Sequence, residues 1–101
     1  MTGARTVSAF SGNIDFTTRE EFRQLLAGLA TAEFAVIDLS GVGYIDSMAL
    51  SELIALHRGR MDAGRSPLRV VVGPGVRRLY EISGIGAILP PYASVDAAVA
   101  P

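Results

Sequence analysis

Val36-Ile37-Asp38-Leu39-Ser40-Gly41-Val42-Gly43-Tyr44-Ile45-Asp46-Ser47-Met48-Ala49-Leu50 reads as a buried strand, a tight loop and the threshold of a helix. From Ala35 to Leu39 the apolar run is broken only by Asp38, which suits a central strand covered on both faces or a parallel one. Ser40-Gly41-Val42-Gly43 supplies the loop. Asp46 and Ser47 stand where the next helix begins. A serine hydroxyl there lies in the positive field of the helix start, beside backbone N–H groups that have no partner within the helix. Such a place suits an ordinary cap. It equally suits a phosphate or the centre of a docking surface, and position alone leaves both readings open.

Downstream, the spacing predicts a helix from Ser47 to about Ala63, with Leu50, Leu53, Ile54, His57 and Met61 on one face. Gly64-Arg65-Ser66-Pro67 ends it, a C-terminal glycine followed by proline. Leu68 to Val72 is rich in β-branched residues and reads as a strand. Gly73-Pro74-Gly75 reads as a turn into a short helix, Val76 to about Ser83, which Gly84 stops. Ala87 to Leu89 reads as a short edge strand, and Ser94 as the cap of a terminal helix over Val95 to Ala100. Upstream, Arg5 to Ser11 reads as a strand and Gly12-Asn13 as a turn. Thr17 and Thr18 each have a glutamate three residues on, so either can cap the next helix. Phe22, Leu25, Leu26 and Leu29 then give that helix one apolar face, ending near Ala30 to Ala32. No internal repeat or linker interrupts the pattern. Strands alternating with helices predict a single α/β domain with at least some parallel pairing.

Composition bounds the function. Half of the 101 residues are apolar and 19% are charged, enough for a core. The absence of cysteine excludes disulfides and thiolate metal sites. All nine basic residues are arginine, and the formal net charge of -1 offers no basic field for nucleic acid or an anionic membrane. Met1 to Thr6 shows no basic segment leading into an apolar run, and no stretch approaches the roughly 20 apolar residues of a membrane span. The expectation is a soluble cytoplasmic domain without membrane insertion.

Three motifs in order carry a resemblance to the STAS domain, the module of bacterial anti-sigma factor antagonists. Gly12-Asn13-Ile14-Asp15 matches the family's glycine-x-apolar-aspartate before its first long helix. Val36-Ile37-Asp38-Leu39-Ser40 matches the central strand. Tyr44-Ile45-Asp46-Ser47, running into Leu50, matches the aspartate-serine signature at a helix start. The Gly73 turn, Ile82-Ser83-Gly84-Ile85 and Ser94-Val95-Asp96-Ala97-Ala98 follow in the expected order. The resemblance implies an α/β fold, a small STAS-type mixed sheet of about four strands with helices mainly on one face. Two features depart from the pattern: Met48 and Ala49 stand where the family prefers a small residue and then glycine, and only eleven residues precede Gly12. The second implies a missing or shortened N-terminal strand and a sheet edge open for pairing, in a homodimer for example.

The resemblance also implies partners and roles. The unphosphorylated protein would capture an anti-sigma factor that is also a serine kinase. Phosphorylation of Ser47 would end the capture, and a serine phosphatase would restore it. No cofactor is implied. A phosphate at a helix start leaves the fold intact, because the N–H groups and the dipole favour it. A partner that buries a neutral hydroxyl would then have to bury an unpaired dianion, which is costly. Asp46 would position Ser47 against the nucleotide phosphate; read from its own position, it caps the helix. Asp15, in the matched turn with Asn13, would lie near the serine and touch the kinase; its local reading is an Asx turn. Met48 with Glu52 and Ala55 is expected as an exposed strip at helical spacing. The predicted partner surface thus comprises Asn13, Asp15, Asp46, Met48, Ala49 and Glu52. Asp38 reads as structural, accepting loop N–H bonds.

An enzyme reading fails on geometry. The single histidine, His57, lies ten residues of helix from Ser47, roughly 15 Å along the axis, too far for a Ser-His-Asp arrangement. It reads instead as a satisfied core histidine. Two further readings are a STAS subunit docked constitutively on a partner, as in lipid-transport complexes, and a nucleotide-binding sensor.

Overall fold

The structure, a computed structural model, describes residues 5–100. Residues 1–4, on which much of the leader reading falls, and residue 101 lie outside them. Four strands and four α-helices alternate: β1 Arg5–Ile14, α1 Arg19–Ala30, β2 Phe34–Ile45, α2 Ser47–Asp62, β3 Arg69–Val72, α3 Pro74–Ser83, β4 Pro91–Tyr92 and α4 Val95–Val99. The sheet order is β1-β2-β3-β4. The resemblance implied a mixed sheet of about four strands; the number holds, and all three pairings are parallel. The physical reason is the connections. A helix follows each of the first three strands, so no strand returns by a hairpin. With the strand order stepping in one direction, crossovers of the usual right hand place those helices on one face, and all three contribute to one core.

That face holds the main core. Phe22, Leu26 and Leu29 of α1, Leu50 and Leu53 of α2, and Val76 and Tyr80 of α3 pack on Ile37 and Leu39 of β2 and Val70 and Val72 of β3. The opposite face is narrower, with Ala98 of α4 closing over Val36 and Val71. The central run is therefore buried from both sides, as its continuous apolar character requires.

Three local expectations are corrected. Ser40–Gly43 is not a loop: β2 continues to Ile45, and Gly12-Asn13 lies inside β1. Two register shifts absorb the extra residues of β2, one between Ala9 and Ser11 and one between Gly12 and Asn13. Glycine inside a strand marks a bulge here, and Gly12 takes a positive φ of 88° that favours it. Ala87–Leu89 is not a strand: Ile85–Ala87 forms a 3-10 turn and the edge strand comes later, at Pro91–Tyr92. The Ile88 and Leu89 N–H groups both donate to the Ile85 carbonyl, coiling the segment, and the Tyr80 hydroxyl donates to the Leu89 carbonyl at 2.5 Å. Gly73-Pro74-Gly75 is more than a turn. It begins α3 against the bulged part of β2, where a Cβ on Gly73 would lie 2.6 Å from the Ser40 carbonyl oxygen and one on Gly75 2.9 Å from Gly43 Cα.

One charged side chain is part of the interior. Arg60, in the last turn of α2, is 1% exposed. Its Nη1 donates to the Leu29 and Ala32 carbonyls, both at 2.6 Å. Nη2 donates to the Glu33 carbonyl at 3.1 Å and Ser66 Oγ at 3.2 Å, and Nε to the Ser66 carbonyl at 3.0 Å. All five guanidinium N–H groups thus find acceptors. The cation sits at the negative end of α1, whose last carbonyls need donors. Burial holds its pKa below the usual arginine value.

Candidate functional site

Because β1 and β2 run side by side in parallel, their C-terminal ends open onto one edge of the domain. Asn13 pairs with Tyr44 and Ile14 with Ile45. The Asp46 N–H donates to the Ile14 carbonyl at 3.1 Å, extending the ladder into the two loops that follow. The Asp15 turn and the Ser47 helix start are thereby neighbours, as expected.

The Asp15 turn is an Asx turn. Its Oδ1 accepts the Thr17 N–H at 2.9 Å and the Thr17 hydroxyl at 2.5 Å. These bonds, the hydroxyl's first, pull the Asp15 pKa below the usual carboxylate range. The expectation that a threonine hydroxyl caps α1 is corrected: Thr18 occupies the cap position without a side-chain cap. Its hydroxyl is drawn backward instead, accepting the Asp15 N–H at 3.1 Å and donating to the Asn13 carbonyl at 2.9 Å. It closes the turn rather than the helix.

Asp46 caps α2, its Oδ1 accepting the Ala49 N–H at 2.9 Å. Its Oδ2 takes a charge-assisted bond from Arg19 Nη2 at 3.1 Å. Beyond it, Arg23 Nε donates to Glu52 Oε2 at 2.6 Å, a contact that raises the Arg23 pKa. The first halves of α1 and α2 are laced by this ladder. Ser47 is the first helical residue and is exposed.

The predicted surface residues divide. Asn13, Ser47 and Met48 are exposed, and Asp15 and Asp46 are half-buried beside them. Ala49 is corrected: it is 1% exposed, part of the core, and offers only its N–H to the cap. Glu52 is corrected too. Its carboxylate faces α1 and is held by Arg23, so the exposed strip on α2 is Met48 and Ala55 without it. Asp38 is structural, its Oδ1 accepting the Ser40 N–H at 2.9 Å within the bulge. His57 is not the satisfied core histidine expected; its Nδ1 is buried without a hydrogen-bond partner.

Sequence reasoning passed over two aromatic residues here. Phe16 is 81% exposed, Tyr44 53% and Met48 54%. Phe16 follows Asp15, Tyr44 is the penultimate residue of β2, and Met48 follows Ser47. For Phe16 the signal was present, since it falls outside the apolar period of α1; Tyr44 shares the strand phase of Val42, and the register shift between them turns it outward. Exposed large apolar side chains of this kind are the material from which docking surfaces are built. Among the described residues no helix is long and apolar enough to cross a membrane, and no group of three or more His, Asp or Glu side chains is gathered to hold a metal.

Residues 2–98 match the family model described as the STAS domain. No curated protein matches the chain. Among solved structures, an anti-sigma factor antagonist from Mycobacterium paratuberculosis is similar at 27% identity and a TM-score of 0.78, over 97% of this chain and 90% of that one.

Proposed function

This chain belongs to the STAS domain family, and from that premise we propose that it is a cytoplasmic anti-sigma factor antagonist that switches partners through Ser47. The observation that carries the reading is the exposed Ser47 at the start of α2, on the edge of the domain whose segments also carry the exposed Phe16, Tyr44 and Met48. The likeness to the antagonist from Mycobacterium paratuberculosis supports it. The partner is an anti-sigma factor serine kinase. Its surface covers these apolar side chains and the neutral serine, and its sigma factor is released. The γ-phosphoryl group of ATP then passes to Ser47 Oγ: the new P–O bond replaces the β–γ bridge, the hydroxyl proton leaves to a base of the kinase, and ADP departs. The phosphate adds nearly two negative charges beside Asp46 and Asp15. The helix start tolerates them and the buried interface does not. A serine phosphatase reverses the step by hydrolysis. The protein itself is a substrate rather than a catalyst. Its single histidine lies ten residues along α2 from Ser47, roughly 15 Å away.

The test is incubation with the cognate kinase and ATP, followed by mass mapping. One phosphoryl group on Ser47 is the expected result. Ser47→Asp is expected to weaken kinase binding at least tenfold with the melting temperature unchanged. Tight binding without phosphoryl gain would replace the switch by constitutive docking through the same surface.

A further inference from the structure

Arg19, the first residue of α1, has more donors than its contacts use. A guanidinium carries five N–H groups in a planar fork. Among the described residues, Arg19 makes one hydrogen bond, from Nη2 to Asp46 Oδ2. Its Nη1 lies 3.8 Å from Glu52 Oε1, beyond hydrogen-bond range. That oxygen is itself buried without a partner. Arg23, one turn later, is committed to the other oxygen of Glu52 at 2.6 Å. The ladder therefore contains one cation in use and one largely in reserve. The reserve cation is seated on the residue that immediately precedes Ser47.

We infer that Arg19 is the internal receptor for a phosphate on Ser47. The inference rests on the proposed modification of that serine. Consecutive Cα atoms lie about 3.8 Å apart, so a phosphate on residue 47 is carried on the residue next to the carboxylate that already holds the guanidinium. The guanidinium fork matches phosphate oxygens as it matches a carboxylate, and a dianion with three acceptor oxygens competes well for it. Asp46 can release Arg19 without losing its structural task, because the Ala49 cap uses Oδ1 and the ion pair uses Oδ2. The transfer would pin the phosphate across α1 and α2 instead of leaving it free in solvent. It would also tie the first turn of α1, and the Asp15 turn before it, to the state of Ser47.

The experiment installs phosphoserine at position 47 during translation and follows its second ionisation by phosphorus NMR. Arg19→Gln is expected to raise that pKa by about one unit, as removal of a contacting cation does. Arg19→Lys is expected to restore part of the shift. Arg23→Gln removes the same charge one turn away and is expected to move the value by a third or less. Because the glutamine variant also frees the Asp46 carboxylate, both are repeated with Asp46→Asn, where the Arg19 effect is expected to persist. Equal values in wild type and Arg19→Gln would overturn the inference. So would equal shifts from Arg19 and Arg23, which would mean a diffuse field rather than a contact. The phosphate is supplied by translation, so a kinase that leaves Ser47 unmodified overturns the switch and leaves this measurement standing.

Discussion

Arg60 and Arg19 bridge α1 and α2 at opposite ends of the same helix pair. At the end where the strands begin, Arg60 is 1% exposed and all its donors are taken by carbonyl and hydroxyl oxygens. At the end where the strands finish, the Arg19 side chain is 22% exposed and makes one hydrogen bond, to a carboxylate. The difference separates a closed site from an open one. Arg60 has no carboxylate partner, so its charge is stabilised by fixed backbone dipoles and it has nothing left to give a ligand. Arg19 is paired with an ionised group that already has a second task, and most of its fork remains available. Both ends hold the helices together, and only one leaves room for a change of partner.

The largest break in this comparison is at Arg60. Arg60→Met keeps much of the side-chain volume but takes the guanidinium donor from the Leu29, Ala32 and Ser66 carbonyls, while the Glu33 carbonyl keeps the Ser66 hydroxyl at 2.6 Å. Each buried acceptor left unpaired costs about 1–3 kcal/mol, so the total is expected at about 3–5 kcal/mol once partial relaxation is allowed. Urea unfolding measures it. Arg60→Lys supplies three donors in place of five and is expected to lose less, about 1–3 kcal/mol. A methionine variant within about 0.5 kcal/mol of wild type would show that the carbonyls find other donors, and the contrast would vanish.

Arg19→Gln is expected to cost much less, about 0.5–1 kcal/mol, because the pair it breaks is partly solvated. The deficit should shrink in 1 M salt, where the screening length falls to about 3 Å. The Arg60 deficit should not, since no counter-charge faces that guanidinium. A salt-independent loss at Arg19 would mean that its stem packing, rather than its charge, holds the helices.

Legibility in the sequence follows the same division. The alternation of strands and helices, the apolar stripe of α1 and the cap at Asp46 all rest on local period and local chemistry, and they are present, with the edge strand displaced to Pro91–Tyr92. Arg60 escaped because hydropathy counts arginine as solvent-seeking. It lies seven residues after Leu53, on the buried stripe, while Met61, read as core, is 47% exposed. Only the carbonyls of Leu29, Ala32 and Glu33, distant in sequence, together with Ser66, make that burial tolerable. The bulges of β2 escaped for a related reason: Gly41 and Gly43 look like a loop until β1 and α3 are placed against them. Ala49 was lost to the core because a helix cap fixes which residues of the first turn face inward. At the candidate site, the loop pairing of Asp15 with Ser47 was readable from motif order. The Arg19 bond to Asp46 was not, since it spans 27 residues between two helices.

The smallest effect sharpens the comparison through pH. The Asp15 carboxylate has a lowered pKa in the folded protein, chiefly because the Thr17 hydroxyl and then the Thr17 N–H donate to it. A carboxylate whose folded pKa lies below its unfolded value of about 3.9 stabilises the fold above that value. The contribution fades as pH falls through the folded pKa, because the unfolded chain has already taken up its proton. Asp15→Asn keeps an oxygen that can accept the Thr17 N–H and removes the ionisation. The melting temperature of wild type should therefore exceed that of the variant at pH 7, and the gap should narrow steadily below about pH 4. The Arg60→Met gap, set by carbonyl groups that do not titrate, should stay level from pH 7 to pH 3. A constant Asp15 gap would mean that the asparagine loses geometry rather than charge. A narrowing Arg60 gap would mean that an acid group contributes to the closed end after all, and the two arginines would then differ in exposure rather than in kind.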